Sequence, residues 1–406
     1  MNVVKKIYCR AFQICFRAAI PLLPYTEPKI LEGMDKIPKV LEKFDYHKVL
    51  IVTDKGITKV GLGKQLTDIL DKEDISYEYF DETVANPTIA NVEAARALYL
   101  EGKCEAIVAL GGGSSMDCAK AAGARVVKPN QPISKMKGIL KVHKKIPLLL
   151  AIPTTAGTGS ETTLAAVITD EENHYKYPIN DFPLIPKYAV LDYKVTTSLP
   201  KHLTATTGMD ALTHAVEAYI GRSTTRYTRK KAIRAVKLIG RNLKKVYDNG
   251  EDAKARMNML KAAYCAGVAF TQSYVGYVHG VAHSLGGQYG VPHGLANAVI
   301  LPYVLEMYGE SCYKKLAKLA VKANVIEEKS TTEETAKAFI RWIKDMNQSM
   351  DIPDYIEEIN EEDIPAMAKH ADKESNPLYP VPKLMNAKEL EEVYRKVKKH
   401  DVQDGN

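Results

Sequence analysis

The sequence predicts a protein with an α/β N-terminal domain and an all-α C-terminal domain. Short apolar runs alternate with helical patterns in the first half of the 406-residue chain, and only helical periodicity continues beyond Pro200. Continuous apolar strands separated by helices are typical of a parallel sheet covered on both faces. We therefore expect a helical N-terminal extension over 1–27, an α/β domain over 28–199 and a helical domain over 200–406.

Apolar runs of strand length predict the sheet of the α/β domain. They are Lys48–Thr53, Ser76–Phe80, Ala106–Leu110, Leu148–Ile152 and Tyr188–Leu191. Helical patterns follow the first three of these runs, at Gly61–Lys72, Asn91–Glu101 and Ser115–Val127. In the C-terminal half, the clearest helical patterns are Ala211–Tyr219 and Arg229–Val246. Strands and helices in this alternation predict βα units.

The first residues form an amphipathic pattern. Lys5 and Lys6 precede an apolar stretch that Arg10 and Arg17 interrupt, so its longest uncharged run is too short to span a bilayer. The interpretation that we favour is a helix that packs on its own protein or on a sister subunit. Loose binding to a membrane surface and a cleaved signal peptide are the alternatives.

Composition and charge exclude several classes of protein. The net charge is +7, but 49 acidic residues are mixed with 56 basic ones, so no nucleic-acid-binding face is indicated. The rest of the chain has no apolar run long enough for a transmembrane segment. The six scattered cysteines form no Cys-x-x-Cys motif, which favours a reducing, cytoplasmic location.

A glycine-rich turn follows the run Ala106–Leu110. It consists of Gly111, Gly112, Gly113, Ser114 and Ser115. The glycines permit a tight turn and a close approach of the backbone to a ligand. We expect the next helix to begin near the two serines, which are natural N-caps, and its first amide groups suit a pyrophosphate. The alternative is a tight βα turn without a ligand.

Two further features follow predicted strands. A loop rich in hydroxyl groups, Pro153–Glu161, comes after Leu148–Ile152, and Asp54 ends the first strand. Hydroxyls and amides of this loop could hold a ribose, a phosphate or a nicotinamide amide. The Asp54 carboxylate could accept hydrogen bonds from a ribose, or could simply cap a helix. Ligands of open parallel sheets bind at the carboxyl ends of the strands, so the features together predict a dinucleotide site.

Histidines and a carboxylate in the C-terminal half have the spacing of metal ligands. Asp210 and His214 are four residues apart, as are His279 and His283, and His293 follows between a proline and a glycine. An i, i+4 pair lies on one face of a helix, one turn apart. Imidazoles with a carboxylate suit Fe²⁺ or Zn²⁺ with one position open for substrate.

These motifs resemble the iron-containing, or group III, alcohol dehydrogenase family. The segments that match are Gly111–Lys120, Pro153–Glu161, Gly208–Tyr219 and His279–Ala298, with Asn86-Pro87-Thr88 as a further family position. The likeness extends over roughly residues 28–400. It implies a fold shared with dehydroquinate synthase, in which a Rossmann-like dinucleotide-binding domain precedes a helical metal-binding domain and the cofactor lies in the cleft between them.

The resemblance also implies roles for individual residues. The metal ligands would be Asp210, His214, His279 and His293, and His283 would be a non-ligand histidine near the nicotinamide. Because His283 lies outside this ligand set yet one turn from His279, it is also the candidate proton relay. The alternatives for His283 are a fifth or alternative metal ligand and a residue that orients a ligand. Asp54 would favour NAD over NADP. The remaining cofactor-binding positions would be Asn86, Gly111, Gly112, Gly113, Ser114, Ser115, Asp117, Thr154, Thr155 and Thr158.

The implied reaction is reversible hydride transfer between NAD and a primary or secondary alcohol, which includes diols, to give an aldehyde or a ketone. Fe²⁺ is the expected metal and Zn²⁺ is possible on chemical grounds. The family implies a homo-oligomer, most simply a dimer. Two alternatives are a lyase or cyclase related to dehydroquinate synthase, and a non-catalytic scaffold that binds NAD and metal.

Overall fold

A computed structural model describes residues 1–172 and 175–399 and confirms the predicted fold class. The chain divides into two compact units. The α/β unit comprises Pro24–Leu199 and Gly250–Gly267, and the helical unit comprises Met1–Leu23, Pro200–Asn249 and Val268–Asn406 as far as residue 399 is described. The segment Gly250–Gly267, which follows the second long helix of the C-terminal half, thus packs with the α/β unit.

The α/β unit contains a six-stranded parallel sheet in the order β1-β9-β6-β4-β2-β3 and a smaller sheet in the order β5-β8-β7. The strands are β1 (Lys29–Glu32), β2 (Lys48–Val52), β3 (Ser76–Phe80), β4 (Ala106–Gly111), β5 (Gly138–Ile139), β6 (Leu148–Pro153), β7 (Ala165–Asp170), β8 (Tyr175–Asn180) and β9 (Tyr188–Leu191). All five predicted strands are present. The sequence analysis missed β1 and the small sheet.

Helices cover the large sheet and build the helical unit. Those of the α/β region are α2 (Ile37–Glu42), α3 (Lys55–Lys59), α4 (Leu62–Asp71), α5 (Ile89–Glu101) and α6 (Gly113–Val127). The others are α1 (Val3–Ala19), α7 (Lys201–Ile220), α8 (Arg226–Asp248), α9 (Ala253–Ser273), α10 (Tyr277–Tyr289), α11 (His293–Tyr308), α12 (Glu310–Lys322), α13 (Thr332–Ser349), α14 (Ile364–Ser375) and α15 (Ala387–Val397).

Both faces of the large sheet are buried at its central strands, β2, β4, β6 and β9, because these strands consist almost entirely of apolar residues. In β2, Leu50 and Val52 join the core beneath α5 and α6, whereas Val49 and Ile51 join the core beneath α2 and α4. Successive side chains of a strand point to opposite faces, so a strand that separates two cores is apolar throughout. This burial fixes the strand ends from which the predicted cofactor loops emerge.

No helix among the described residues is both long enough and apolar enough to cross a bilayer. The N-terminal segment forms α1, as the sequence analysis expected. One side of α1 packs within the helical unit, where Cys9 is buried and the Phe16 ring meets the edge of Tyr274 at 4.9 Å between centroids.

Candidate active site

The predicted metal-binding side chains come together in the helical unit. Asp210 and His214 lie on one face of α7, His279 lies on α10, and His293 is the first residue of α11. One potential ligand atom from each of these four residues lies within 4.8 Å of all the others. Oδ1 of Asp210 is 3.8 Å from Nε2 of His279 and 3.6 Å from Nε2 of His293. The i, i+4 spacing on α7 thus meets the histidines of two other helices.

Close helix packing brings His293 to Asp210. Gly294 follows His293 at the start of α11, where a Cβ atom would come within 2.7 Å of the Thr206 carbonyl oxygen on α7. Any larger side chain would push the two helices apart. The glycine after this histidine therefore serves the geometry of the cluster rather than a turn.

The electrostatics of the cluster suit a divalent cation. Burial lowers the pKa of His279 well below its usual range, and the neighbouring histidines His214, His293 and His283 reinforce this shift. His279 is therefore neutral, which is the form that binds metal. Its buried Nε2 has no hydrogen-bond partner among the described residues, a costly situation that a metal ion would relieve. Three imidazoles and one carboxylate fit Fe²⁺ or Zn²⁺.

The cluster is buried on one side and open on the other. The side chains of Asp210 and His279 are each 2% exposed, whereas that of His293 is 41% exposed. The ring of His214 stacks on His279 with centroids 4.4 Å apart and on Phe270 at 4.1 Å, which closes the inner side. The side of His293 is therefore open to a substrate oxygen.

The sequence analysis missed two residues that orient the predicted ligands. Glu217, one turn beyond His214 on α7, has its Oε2 2.6 Å from Nδ1 of His279. Nδ2 of Asn297, one turn beyond His293 on α11, donates to Oδ1 of Asp210 at 2.7 Å. Both residues stand within the family motifs and extend the i, i+3 and i, i+4 spacing of the ligands, which is the signal that could have revealed them. Partners of this kind fix the tautomer and orientation of metal ligands.

His283, the predicted proton relay, lies beside the cluster. Its ring stacks on that of His293 with centroids 5.2 Å apart, and its side chain is 42% exposed. Its Nδ1 is 2.6 Å from Oε1 of Glu374, which also accepts a hydrogen bond from the Tyr379 hydroxyl. Burial would raise the pKa of Glu374, but His283 and these hydrogen bonds lower it below its usual value. The ionised Glu374 leaves Nε2 of His283 as the nitrogen able to exchange a proton.

The predicted dinucleotide-binding residues gather at one edge of the large sheet. Most of them follow β2, β4 and β6, which are neighbours in the sheet, and Asn86 follows β3. β3 pairs with one side of β2, and β4 pairs with the other side. The chain therefore reverses its winding direction between β2 and β4, and ligands of open α/β sheets bind at such a point.

Hydrogen bonds link these loops. The Ser115 hydroxyl donates to Oδ2 of Asp54 at 3.1 Å, and the Thr154 amide donates to the Gly111 carbonyl at 3.0 Å. A side chain at Gly111, where φ is +157°, would put its Cβ 2.3 Å from Oγ of Ser115. Asp54 also caps α3 by accepting from the Ile57 amide, so the capping alternative is realised in the structure.

The hydroxyl-rich loop lies against the glycine turn. A Cβ at Gly113 would be 3.3 Å from Thr158, and one at Gly112 would be 3.8 Å from Thr155. Asn86 lies at the same edge, where its backbone N–H donates to Oγ of Ser114 at 3.2 Å. The glycine turn, the hydroxyl-rich loop and Asn86 therefore lie next to one another.

The structure corrects one detail of the glycine turn. We expected Ser114 and Ser115 to cap the helix, but α6 already begins at Gly113 and its N-cap is Gly112, which has no side chain. Asp117 makes internal bonds, because its oxygens accept from the Ser160 hydroxyl at 2.8 Å and from the Val167 amide at 3.0 Å. Asp117 thus anchors the neighbouring loop.

A buried lysine, which the sequence analysis did not single out, completes this anchor. Nζ of Lys120 donates to the carbonyl and hydroxyl of Ser160, to the Thr163 hydroxyl and to the Ala165 carbonyl, all within 2.9 Å. The Lys120 side chain is fully buried, and burial lowers its pKa to about 8. It ties α6, which begins in the glycine turn, to the hydroxyl-rich loop.

Comparisons with known proteins agree with this arrangement. Residues 28–193 match the model of the iron-containing alcohol dehydrogenase family, and residues 204–398 match that of the C-terminal part of the Fe-containing alcohol dehydrogenase family. Alcohol dehydrogenase 4 of Saccharomyces cerevisiae is 38% identical over 84% of this chain and 88% of its own length. The 1,3-propanediol dehydrogenase of Citrobacter freundii is 37% identical over 86% of this chain and 90% of its own length.

Solved structures show the same likeness. A crystal structure of 1,3-propanediol oxidoreductase superposes with a TM-score of 0.87 at 33% identity, covering 92% of this chain and 99% of that one. The sulfoacetaldehyde reductase of Bifidobacterium kashiwanohense in complex with NAD⁺ superposes with a TM-score of 0.81 at 26% identity, covering 92% and 98%.

The fold and the site thus define a metal-dependent, nicotinamide-linked oxidoreductase. The chain belongs to the iron-containing alcohol dehydrogenase family. It is accordingly an enzyme that transfers hydride reversibly between an alcohol and NAD, with Fe²⁺ as the metal of the family.

Proposed function

We propose that the enzyme interconverts small aliphatic alcohols or diols and their aldehydes or ketones, with NAD as hydride carrier. The observation that carries this proposal is the cluster of Asp210, His214, His279 and His293, whose ligand atoms lie within 4.8 Å of one another. The relatives support a small substrate, since one is named a 1,3-propanediol dehydrogenase. We assign the metal to these four side chains.

The residues of the site have different roles in the proposed reaction. When bound, the divalent metal supplies Lewis-acid stabilisation of an alkoxide, and NAD supplies the hydride acceptor. Asp210 and the three imidazoles hold the cation, and their buried side excludes water. Nε2 of His283 accepts the proton that the alcohol hydroxyl releases and passes it to solvent, because the side chain is partly exposed. In the reverse direction the same nitrogen returns a proton.

We assign the pyrophosphate to the glycine turn, the nicotinamide side of the cofactor to Thr154, Thr155 and Thr158, and the adenosine ribose to Asp54. The first amide groups of α6 face an N-cap glycine without a side chain, which leaves room for a phosphate. A carboxylate at Asp54 would accept from ribose hydroxyls and repel a 2′-phosphate.

We further propose that the enzyme works in the cytoplasm as a homodimer and binds no nucleic acid. All six cysteines are free thiols, as a reducing compartment favours. The dimer rests on the likeness to the family, and the lack of nucleic-acid binding rests on the mixed charge of the chain.

The test is NADH formation by metal-stripped protein reloaded anaerobically with Fe²⁺ or Zn²⁺, with a panel of small alcohols, diols and aldehydes. We expect metal-dependent turnover in wild type and its loss in Asp210→Asn, while the matched exposed substitution Asp248→Asn retains it. NAD binding, followed separately, should survive in both variants. Metal and NAD binding without turnover in either direction would reject the dehydrogenase and favour a lyase or a scaffold.

A further inference from the structure

The N-terminal helix α1 is fixed to the helical unit along one side. The Gln13 amide donates to the Tyr379 carbonyl at 2.8 Å, and the Arg10 guanidinium donates to the carbonyls of Val381 and Pro382 at 2.8 and 2.9 Å. Nζ of Lys5 pairs with Asp372 at 2.8 Å. These bonds set which face of α1 points outward.

The outward face of α1 is apolar. At 100° per residue its members cover an arc about 180° wide, which no charged side chain interrupts. They are Val3, Val4, Ile7, Tyr8, Ala11, Phe12, Ile14, Cys15 and Ala18. Val4, Ile7 and Ile14 are 76%, 65% and 67% exposed. Exposed apolar surface of this extent marks an interaction site.

The width of the arc indicates the kind of partner. A second helix in a coiled coil would need only a narrow seam of a and d positions. The apolar face of α1 continues past such a seam to Tyr8 and Phe12, aromatic residues that suit the border between lipid and water. A half-apolar helix with low overall hydrophobicity is typical of helices that lie in the plane of a membrane surface.

The charge around α1 points to an anionic surface. The helix carries four basic residues and no acidic one. Arg17 at its C-terminal end lies near Arg222, Arg229 and Lys315 of the same unit. Burial, together with the positive charges of Arg229, Arg222 and Arg17, lowers the pKa of Lys315 to about 8. Two copies of α1 would bring like charges together, whereas anionic headgroups would neutralise them.

We propose that the exposed face of α1 binds the surface of a membrane that carries anionic lipids. The apolar arc enters the boundary between headgroups and acyl chains, while Lys6 and Arg17, both exposed, contact the headgroup phosphates. The enzyme is thereby held reversibly at the membrane, and the packed side of α1 keeps its bonds to the helical unit.

The test is co-sedimentation of the full-length protein with phosphatidylcholine vesicles that contain or lack phosphatidylglycerol. We expect binding to the anionic vesicles that weakens as salt is raised, and little binding to neutral ones. The variant Ile7→Glu/Ile14→Glu should reduce binding at least about tenfold, because two side chains no longer enter the apolar layer. The matched control Val60→Glu/Ile139→Glu replaces exposed apolar residues elsewhere and should bind like wild type.

Thermal unfolding and alcohol turnover in solution should be the same for Ile7→Glu/Ile14→Glu and wild type, which shows that the variant is folded. Absence of sedimentation with anionic vesicles, or sedimentation that this variant leaves unchanged, would overturn the proposal. Light scattering adds a further arm. If wild type forms a larger assembly than Ile7→Glu/Ile14→Glu by light scattering and does not bind vesicles, the apolar face is a contact between copies of the chain. In that case the membrane proposal is wrong.

Discussion

Nδ1 of His279 and Oε2 of Glu217 are 2.6 Å apart, so a buried carboxylate is hydrogen-bonded to the histidine that faces Asp210. The same carboxylate accepts from the backbone amides of Gly276 and Val278 at 2.8 and 2.9 Å. It thus fixes both the start of α10 and the His279 ring. With Nδ1 as donor, Nε2 keeps its lone pair toward the metal ligands.

Replacing Glu217 by Gln should weaken metal binding about 10- to 100-fold, because an amide cannot accept from three donors and one of its own N–H groups would face them. The measurement is competition with a chelator for Fe²⁺ or Zn²⁺, independent of turnover. Glu306→Gln, an exposed position on the neighbouring helix α11, is the matched control and should keep its metal. Equal affinity in both variants would show that Glu217 does not position His279.

Substitution Asp54→Asn should raise the preference for NADP relative to NAD about tenfold, because it removes a negative charge that would repel the 2′-phosphate. Asparagine can still cap α3, so the loop should keep its shape. The readout is the ratio of kcat/KM for the two cofactors. Asp68→Asn, an exposed change on α4, should leave that ratio alone. An unchanged ratio in Asp54→Asn would remove Asp54 from the ribose site.

Removing the amine in Lys120→Met should destabilise the α/β unit by about 3 kcal/mol, because the carbonyls of Ser160 and Ala165 lose a charged donor and stay buried. The loosened hydroxyl-rich loop should also bind NADH more weakly. Denaturant midpoints and NADH fluorescence titration measure the two effects. Lys64→Met, an exposed position on α4, serves as control. Normal stability of Lys120→Met would contradict the anchoring role.

Burial raises the pKa of Glu161 from 4.5 to about 7, although Lys120 and a backbone hydrogen bond act in the opposite direction. Between these pH values the folded protein keeps a proton that the unfolded chain releases, so this group lowers stability as pH rises. The loss, complete above about pH 7, amounts to about 3 kcal/mol.

Glutamine does not titrate, so the variant Glu161→Gln does not lose this stability. Its unfolding free energy should therefore rise relative to that of wild type as pH rises from 4.5 to 7. The measurement is the difference in unfolding free energy between the two proteins across this range, which cancels the other titrating groups. Glu327→Gln, an exposed change, should show a constant difference. A constant difference for Glu161→Gln as well would mean that its carboxyl titrates normally in the fold.

The sequence alone determined the class of fold and most of the predicted site. Strands such as β4 and β6 are apolar along their whole length, and such a run can be recognised from neighbouring residues alone. The candidate metal ligands could also be recognised from the sequence, because the spacing of Asp210 and His214 places them on one helix face whatever packs against it. The weakly patterned β1, which is mostly exposed at the edge of the sheet, gave no such signal.

Tertiary structure decided what surrounds these residues. The hydrogen bond between Glu217 and His279 joins residues that are 62 positions apart in the chain. Lys120 likewise bonds to Ser160, which is 40 positions away. Neither pairing can be read from periodicity, because a helix pattern reports which face is buried and not what lies against it. The same reason applies to α1, whose sequence predicts an amphipathic helix but whose apolar side points outward because polar bonds hold its other side.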